Sequence, residues 1–290
     1  MDLSLICDPS YWRELAPDLS VSEEARSVDQ EENQVSIGAV EMERLVEEGY
    51  FKMPRSLSED FMAGLLRGVC SVKESGYIPL FSFMYDEYWE CFFNFRNVLS
   101  NVFDDQTAVL PDFWLWYVDP KNGESGWKPH RDKNSNTLLV DGRPSVVTIW
   151  IPLSDATTLN GCMYIIPANK DANYTNFQDH TPATDLQSIR ALPAVPGDAF
   201  LWNHRVYHWG SHSSKHADGP RVSMAMEFQR LDGPAYRDFL LAMNVIPSFE
   251  QRVALIGKQI LQYRHMYSYS DELVNIAEQM VGYHSLTGEG

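Results

Sequence analysis

His130-Arg131-Asp132, followed in order by His208 and by Arg221-Val222-Ser223, is the group of residues in this chain best suited to chemistry. Successive side chains of extended backbone point to opposite faces, so the spacing predicts His130 and Asp132 on one face of a strand. A distant histidine completes two imidazoles and one carboxylate, the facial set that holds non-haem Fe(II) and leaves coordination positions open. Those positions suit a two-point chelating acid and then dioxygen. A guanidinium further along suits the acid's far carboxylate, because it binds carboxylates bidentately and keeps its charge in a buried pocket. His-x-Asp alone is common by chance as a surface pair beside a turn; the later residues give it weight.

The second imidazole has two candidates in Trp202-Asn203-His204-Arg205-Val206-Tyr207-His208. Gly197 to Trp202 reads as a turn and then a strand, so His204 falls in the turn leaving it and His208 starts the next strand. A ligand needs a rigid, inward-facing position, which selects His208 and leaves His204 behind the centre or incidental. His212 and His216 read as solvated loop residues. Arg221, Ser223 and Ala225 share one strand face, opposite Val222, Met224, Met226 and Phe228. A strand with a site on one side and helices on the other has this pattern, although arginine is also common in surface ion pairs. Trp114 with Trp116, and Thr148 with Trp150, share faces of two more strands; pocket lining competes there with plain core packing. Trp127, in the loop before His130, is a candidate for facing substrate.

The elements that must position these residues fall into three stretches. Residues 1–38 are polar and acidic and read as a loosely held N-terminal arm. Residues 39–110 carry helical periodicity: a helix from Val40 to Glu48 closed by Gly49, a second from about Ser58, and a third, aromatic one from Asp86 to about Val102. From 111 to 230, short runs rich in β-branched and aromatic residues alternate with turns such as Asn160-Gly161 and Pro196-Gly197-Asp198, predicting an antiparallel sandwich or barrel. Residues 231–290 return to helix, notably Phe249 to about Arg264 and Glu272 to Val281. They either cover the site, form a dimer contact or simply pack on the barrel, the last being the default.

The bulk properties exclude several classes of partner. Forty acidic against 23 basic residues give a net charge of −17, which repels phosphate backbones and anionic lipid, so no nucleic-acid or membrane partner is expected. Eight Trp, 14 Tyr and 14 Phe supply ample material for a core. Cys7, Cys70, Cys91 and Cys162 are widely spaced and form no CxxC pair, which reads as thiols in a reducing, cytoplasmic compartment. No leader or transmembrane-length run is visible.

The chain resembles the phytanoyl-CoA dioxygenase family of Fe(II)/2-oxoglutarate oxygenases over about residues 111–230. Pro129-His130-Arg131-Asp132 is similar to the family's His-x-Asp. Val147 to Leu153 with Asn160-Gly161 through Pro167 is similar to its tryptophan strand and Asn-Gly turn. Pro196-Gly197-Asp198 and His208-Trp209-Gly210-Ser211 resemble the segment of the distal histidine, and Arg221-Val222-Ser223 the oxoglutarate-anchoring strand. Pro167-Ala168-Asn169-Lys170 and His212 depart from the family pattern, which affects loop geometry and substrate contacts. The resemblance implies a mainly β core, a double-stranded β-helix of the cupin or jelly-roll kind, within a single domain flanked by N- and C-terminal helices. It implies His130, Asp132 and His208 as ligands of Fe(2+). It further implies Arg221 and Ser223, with Thr148, Trp150 and Trp116, as 2-oxoglutarate contacts. The implied reaction decarboxylates 2-oxoglutarate to succinate while O2 oxidises an unactivated C–H bond of a small molecule. Asp132 argues against a halogenase, which gives up that carboxylate for chloride. A catalytically silent cupin-like binder and an oxoglutarate-independent cupin metalloenzyme are the competing readings. The expected partners are a small-molecule substrate and O2, and the expected state is a monomer or homodimer.

Overall fold

The computed structural model describes residues 1–28, 35–133, 135–179, 181–237 and 239–283. Two short helices, α1 (Leu3–Ile6) and α2 (Pro9–Leu15), open the chain, each capped by an aspartate that accepts from the amide two residues on. The expected loosely held arm is corrected here. Ile6 and Trp12 are fully buried in the main core, and Trp12 stacks on Phe81 with ring centroids 5.8 Å apart. Acidic composition hid two apolar anchors on a short segment. The polar run Gln30 to Asn33, read as part of that arm, lies outside the described residues.

β1 (Arg26–Ser27) precedes α3 (Ala39–Glu47), which ends at Gly49 with φ +82°, a left-handed position that suits glycine. β2 (Tyr50–Met53) follows, then α4 (Glu59–Glu74), where the Ser58 hydroxyl accepts from the Phe61 amide. The single aromatic helix expected over 86–102 is two, α5 (Asp86–Phe93) and α6 (Arg96–Phe103). Asn94 breaks it: its side-chain amide donates to the Glu90 and Cys91 carbonyls, and its own carbonyl is taken by Val35 N at 3.0 Å.

The β region comprises β3 (Thr107–Val118), β4 (Val146–Pro152), β5 (Met163–Ile166), β6 (Arg190–Leu192), β7 (Ala199–Asn203), β8 (Tyr207–Gly210) and β9 (Arg221–Arg230). β3 starts earlier than expected and is irregular between Val109 and Phe113, where Pro111 has no amide proton to give the ladder. β10 (Val245–Ile246) returns to pair with β1, and α7 (Phe249–Tyr263) and α8 (Asp271–Tyr283) close the chain. All the pairings are antiparallel. One sheet has the order β2-β7-β4-β9-β3 and the other β6-β5-β8. The fold is thus a double-stranded β-helix with helices on one sheet.

Period-two alternation divides the large sheet into two working faces. Val147, Ile149 and Ile151 of β4, with Val222, Met224, Met226 and Phe228 of β9, pack into the core shared with the helices. Trp150 and Ala225 face the other way and join a smaller cluster with Met163, Ile165 and Val206. A cavity lies on this inner side, between the two sheets, lined by Thr148, Trp150, Met163, His208 and Arg221 among others. Among the described residues no helix is long and apolar enough to cross a membrane.

The burial of Trp12 gives a direct check on the N-terminal segment. Trp12→Ala should destabilise the protein by about 3–5 kcal/mol, read from urea denaturation. A loss below about 0.5 kcal/mol, normal for a surface change, would restore the loosely held arm.

Candidate functional site

Two backbone hydrogen bonds of 3.0 Å, one in each direction, pair His130 with His208 as an isolated antiparallel bridge. The expectation of a strand through His130 and Asp132 is corrected: the pairing is one residue long and the chain bends at Asp132. Convergence survives because Arg131, between the two, is anchored elsewhere. Its guanidinium donates to the Arg205 carbonyl and pairs with buried Asp171 at 2.6 Å. The two imidazole centroids stand 4.5 Å apart. His130 Nε2 lies 3.3 Å and His208 Nε2 3.4 Å from the same oxygen, Asp132 Oδ1.

The donor set fits a divalent cation. His130 Nδ1 lies 2.7 Å from the Lys128 carbonyl and His208 Nδ1 3.2 Å from the Val206 carbonyl. A carbonyl only accepts, so each Nδ1 carries a proton, and each Nε2 offers its lone pair toward the cluster whenever the imidazole is neutral. Asp132 is held from the other side: Oδ2 accepts from Thr148 Oγ1 at 3.0 Å and Trp202 Nε1 at 3.1 Å. Burial pushes His208 down to about 4, favouring the neutral ligand form. Burial also opposes charge on His130, but its hydrogen bond to Asp132 and that residue's charge raise it. Asp132 resists the same burial and stays well below the usual carboxylate range because His208, His130 and His204 surround it.

His204 is fully buried behind Asp132, its Nε2 3.0 Å from Thr148 Oγ1 and 3.9 Å from Asp132 Oδ2. It belongs to a second convergent group, Asp132, His204 and Glu227, whose ligand atoms all lie within 4.8 Å of one another.

Arg221 is 1% exposed and makes no ion pair with any carboxylate among the described residues. Its Nη1 donates to Ser223 Oγ at 2.6 Å, its guanidinium carbon stands 6.0 Å over the Trp150 ring, and its Nε has no partner among the described residues. Burial lowers it to about 10, which leaves it charged at neutral pH. A buried cation without a counter-ion carries a large desolvation penalty, so the pocket calls for an anion from outside. Trp150 Nε1 is a second buried donor there without an acceptor. Gly210 and Gly126 make room for the guanidinium. A Cβ on Gly210 would lie 2.7 Å from Gly126 Cα and 3.2 Å from Arg221 Nη2.

Arg221, Trp150, Trp116, His130, Asp132 and His208 all border one cavity. Two of the expected cofactor contacts also make bonds within the protein. Thr148 spends its hydroxyl between Asp132 and His204, and Ser223, fully buried, braces Arg221 from the side. Trp127 borders the cavity with its ring 5.9 Å from that of His130. Three residues of the site are not assigned to it in the sequence analysis. Trp202 and Glu227 lie on inward strand faces and were within reach of the alternation rule: Trp202 pairs with Thr148 in register, and Glu227 continues Arg221-Ser223-Ala225. Tyr263, at the end of α7, reaches the cavity from the C-terminal helices, and no local signal announces it.

A family model described as phytanoyl-CoA dioxygenase (PhyH) matches residues 71–221, just over half of the chain. Phytanoyl-CoA dioxygenase 1 of Oryza sativa subsp. japonica is 28% identical over 125 residues, which span 40% of this chain and 43% of that protein. The chain therefore covers less than half the length of this curated relative. Among solved structures, the non-haem monooxygenase ThoJ in its apo form is similar with TM-score 0.54 and 14% identity, over 83% of this chain and 99% of that one. The carbocyclase SnoK from nogalamycin biosynthesis has TM-score 0.51 and 17% identity over 68% and 87%. HygX from Streptomyces hygroscopicus, with nickel and 2-oxoglutarate bound, has TM-score 0.51 and 12% identity over 70% and 91%. At such identities these likenesses establish the fold. The family match contains both His130 and His208 and reaches Arg221, and on it the chain belongs to the phytanoyl-CoA dioxygenase family.

Proposed function

We propose that the protein is an Fe(II)/2-oxoglutarate-dependent dioxygenase that hydroxylates an unactivated C–H bond of a small-molecule metabolite. The observation that carries this reading is a buried guanidinium without a counter-ion among the described residues, on the same cavity as two imidazoles and a carboxylate whose free lone pairs converge. Family membership supports it, as do the 2-oxoglutarate and nickel bound by HygX. His130 Nε2, Asp132 Oδ1 and His208 Nε2 would hold the ferrous ion. Once bound, iron with O2 and 2-oxoglutarate supplies the oxidising power, and the co-substrate leaves as succinate and carbon dioxide.

The protein's own residues bind, orient and exclude water. Arg221, braced by Ser223, takes the distal carboxylate of 2-oxoglutarate, and Trp150 Nε1 adds a neighbouring donor. Thr148 and Trp202 occupy Asp132 Oδ2, so Asp132 presents a single oxygen and coordination positions stay open. Aromatic rings line the cavity and suit an apolar or cyclic substrate, including a specialised metabolite. The net charge of −17 argues against a polyanionic acyl-CoA and against nucleic acid or anionic membrane. Four free cysteines support a reducing, cytoplasmic setting, with a monomer or homodimer as the working unit.

Four measurements check this. Anaerobic addition of Fe(II) and then 2-oxoglutarate should produce a visible charge-transfer band, with succinate forming once O2 is admitted; neither appearing would favour a silent binder. Arg221→Ala should keep its iron but weaken oxoglutarate binding by about 2–4 kcal/mol, roughly 30- to 1,000-fold, with melting temperature reporting on folding. Unchanged oxoglutarate affinity there would point to an oxoglutarate-independent enzyme. Iron stoichiometry should fall toward zero in His130→Ala, Asp132→Ala and His208→Ala. Trp202→Phe, which removes one donor to Asp132, should lower iron affinity by roughly 10- to 100-fold. Full iron occupancy in His208→Ala would move the ligand to His204.

A further inference from the structure

Glu227 continues the inward face of β9 beyond Arg221, Ser223 and Ala225, and sits in register opposite Thr148. It is 8% exposed and borders the same cavity. His130 and His208 approach Asp132 through Oδ1, whereas Glu227 stands on the other side with His204, its oxygen within 4.8 Å of the Asp132 carboxylate. It is therefore neither a member of the ligand triad nor part of the Arg221 pocket. A carboxylate placed so deep beside another carboxylate is costly, and the site described so far makes no use of it.

Its surroundings define what it can recognise. Lys133 Nζ lies 3.2 Å from Glu227 Oε2 and 3.9 Å from Asp112 Oδ2. Asp112 also pairs with Arg237 and accepts from Gln262 Nε2 at 3.0 Å and from the Tyr263 hydroxyl. Among the described residues, two carboxylates thus face two cations at this end of the cavity. The Lys133 ammonium also supplies the positive charge that a second metal ion among Asp132, His204 and Glu227 would bring. The aromatic groups nearest this end have spent their polar edges. Trp114 Nε1 and Trp127 Nε1 donate to the Tyr267 hydroxyl at 2.9 and 2.8 Å, and the Tyr263 ring packs 4.9 Å from Trp127 and 5.0 Å from Trp114. Glu227 is left as a hydrogen-bond acceptor within aromatic walls: beyond its ion pair with Lys133, its buried Oε2 accepts no hydrogen bond among the described residues.

Building on the oxygenase reading, we propose that Glu227 determines which substrate is oxidised and where. It accepts a hydrogen bond from an uncharged hydroxyl group on a ring-bearing, otherwise apolar substrate. Charge balance around Glu227 and Asp112 selects a neutral alcohol over an amine or an acid. Proximity of the two carboxylates places the reacting carbon within a few bonds of that hydroxyl.

The test uses four probes with one ring: benzyl alcohol, benzylammonium, benzoate and toluene. Each is titrated anaerobically into the Fe(II)- and 2-oxoglutarate-loaded protein, with tryptophan fluorescence and the visible band as readouts. The wild type should bind benzyl alcohol about tenfold more tightly than the other three, the worth of one buried hydrogen bond. Glu227→Leu should level alcohol and toluene, while Glu227→Gln, which keeps an acceptor oxygen, should retain the preference. The proposal is overturned if benzylammonium or benzoate binds best, if benzyl alcohol does not bind, or if Glu227→Leu keeps the preference. A wild type that binds iron and oxoglutarate but fails these tests sinks the Glu227 assignment alone. One that binds neither sinks the oxygenase reading beneath it.

Discussion

The site depends on one short piece of backbone pairing, the reciprocal hydrogen bonds between His130 and His208. They fix two imidazoles side by side without a regular strand on the His130 side, and the bend that follows carries Asp132 to the same point. Everything else in the neighbourhood holds that arrangement. Arg131 and Asp171 fasten the bend from behind, two carbonyls set the imidazole tautomers, and Thr148 and Trp202 grip the far oxygen of Asp132. The β-helix contributes the rigidity: β4, β7 and β9 are neighbours in one sheet and place Thr148, Trp202 and Arg221 by register alone.

Charge is distributed along the cavity in a way that core packing does not explain. Among the described residues, Arg221 stands at one end of the inner face of β9 with no acid, and Glu227 stands six positions along the same strand with Lys133 beside it. Uncompensated buried charge is expensive, so an isolated guanidinium is evidence for an anion that arrives with function. The charge-paired far end calls for a different kind of guest. The two ends thus divide the cavity between an acidic co-substrate and an uncharged substrate, with the convergent ligands between them.

Much of this was legible in the residues because strands alternate. The polar face of Arg221, Ser223 and Ala225, against the apolar face of Val222, Met224, Met226 and Phe228, is the division seen between cavity and helical core. Helix ends marked by Gly49 and Ser58 were equally plain. What escaped depends on contacts distant in sequence. Nothing near Tyr263 says that it reaches a cavity more than a hundred residues from His130, and Trp12 follows Tyr11 in an acidic stretch with no helical periodicity to mark it as core. Asn94 broke a helix whose periodicity ran straight through it, because side-chain hydrogen bonds to the preceding turn are invisible to an apolar pattern. Thr148 and Ser223 were placed on the correct faces, but their roles turned on which neighbour reached the hydroxyl first.

The most direct measurement of the central claim is anomalous diffraction at the iron edge from crystals grown anaerobically with Fe(II) and 2-oxoglutarate. The account predicts one peak bounded by His130 Nε2, Asp132 Oδ1 and His208 Nε2, with the oxoacid running from it to Arg221. A peak among Asp132, His204 and Glu227, or no peak beside His208, would contradict it.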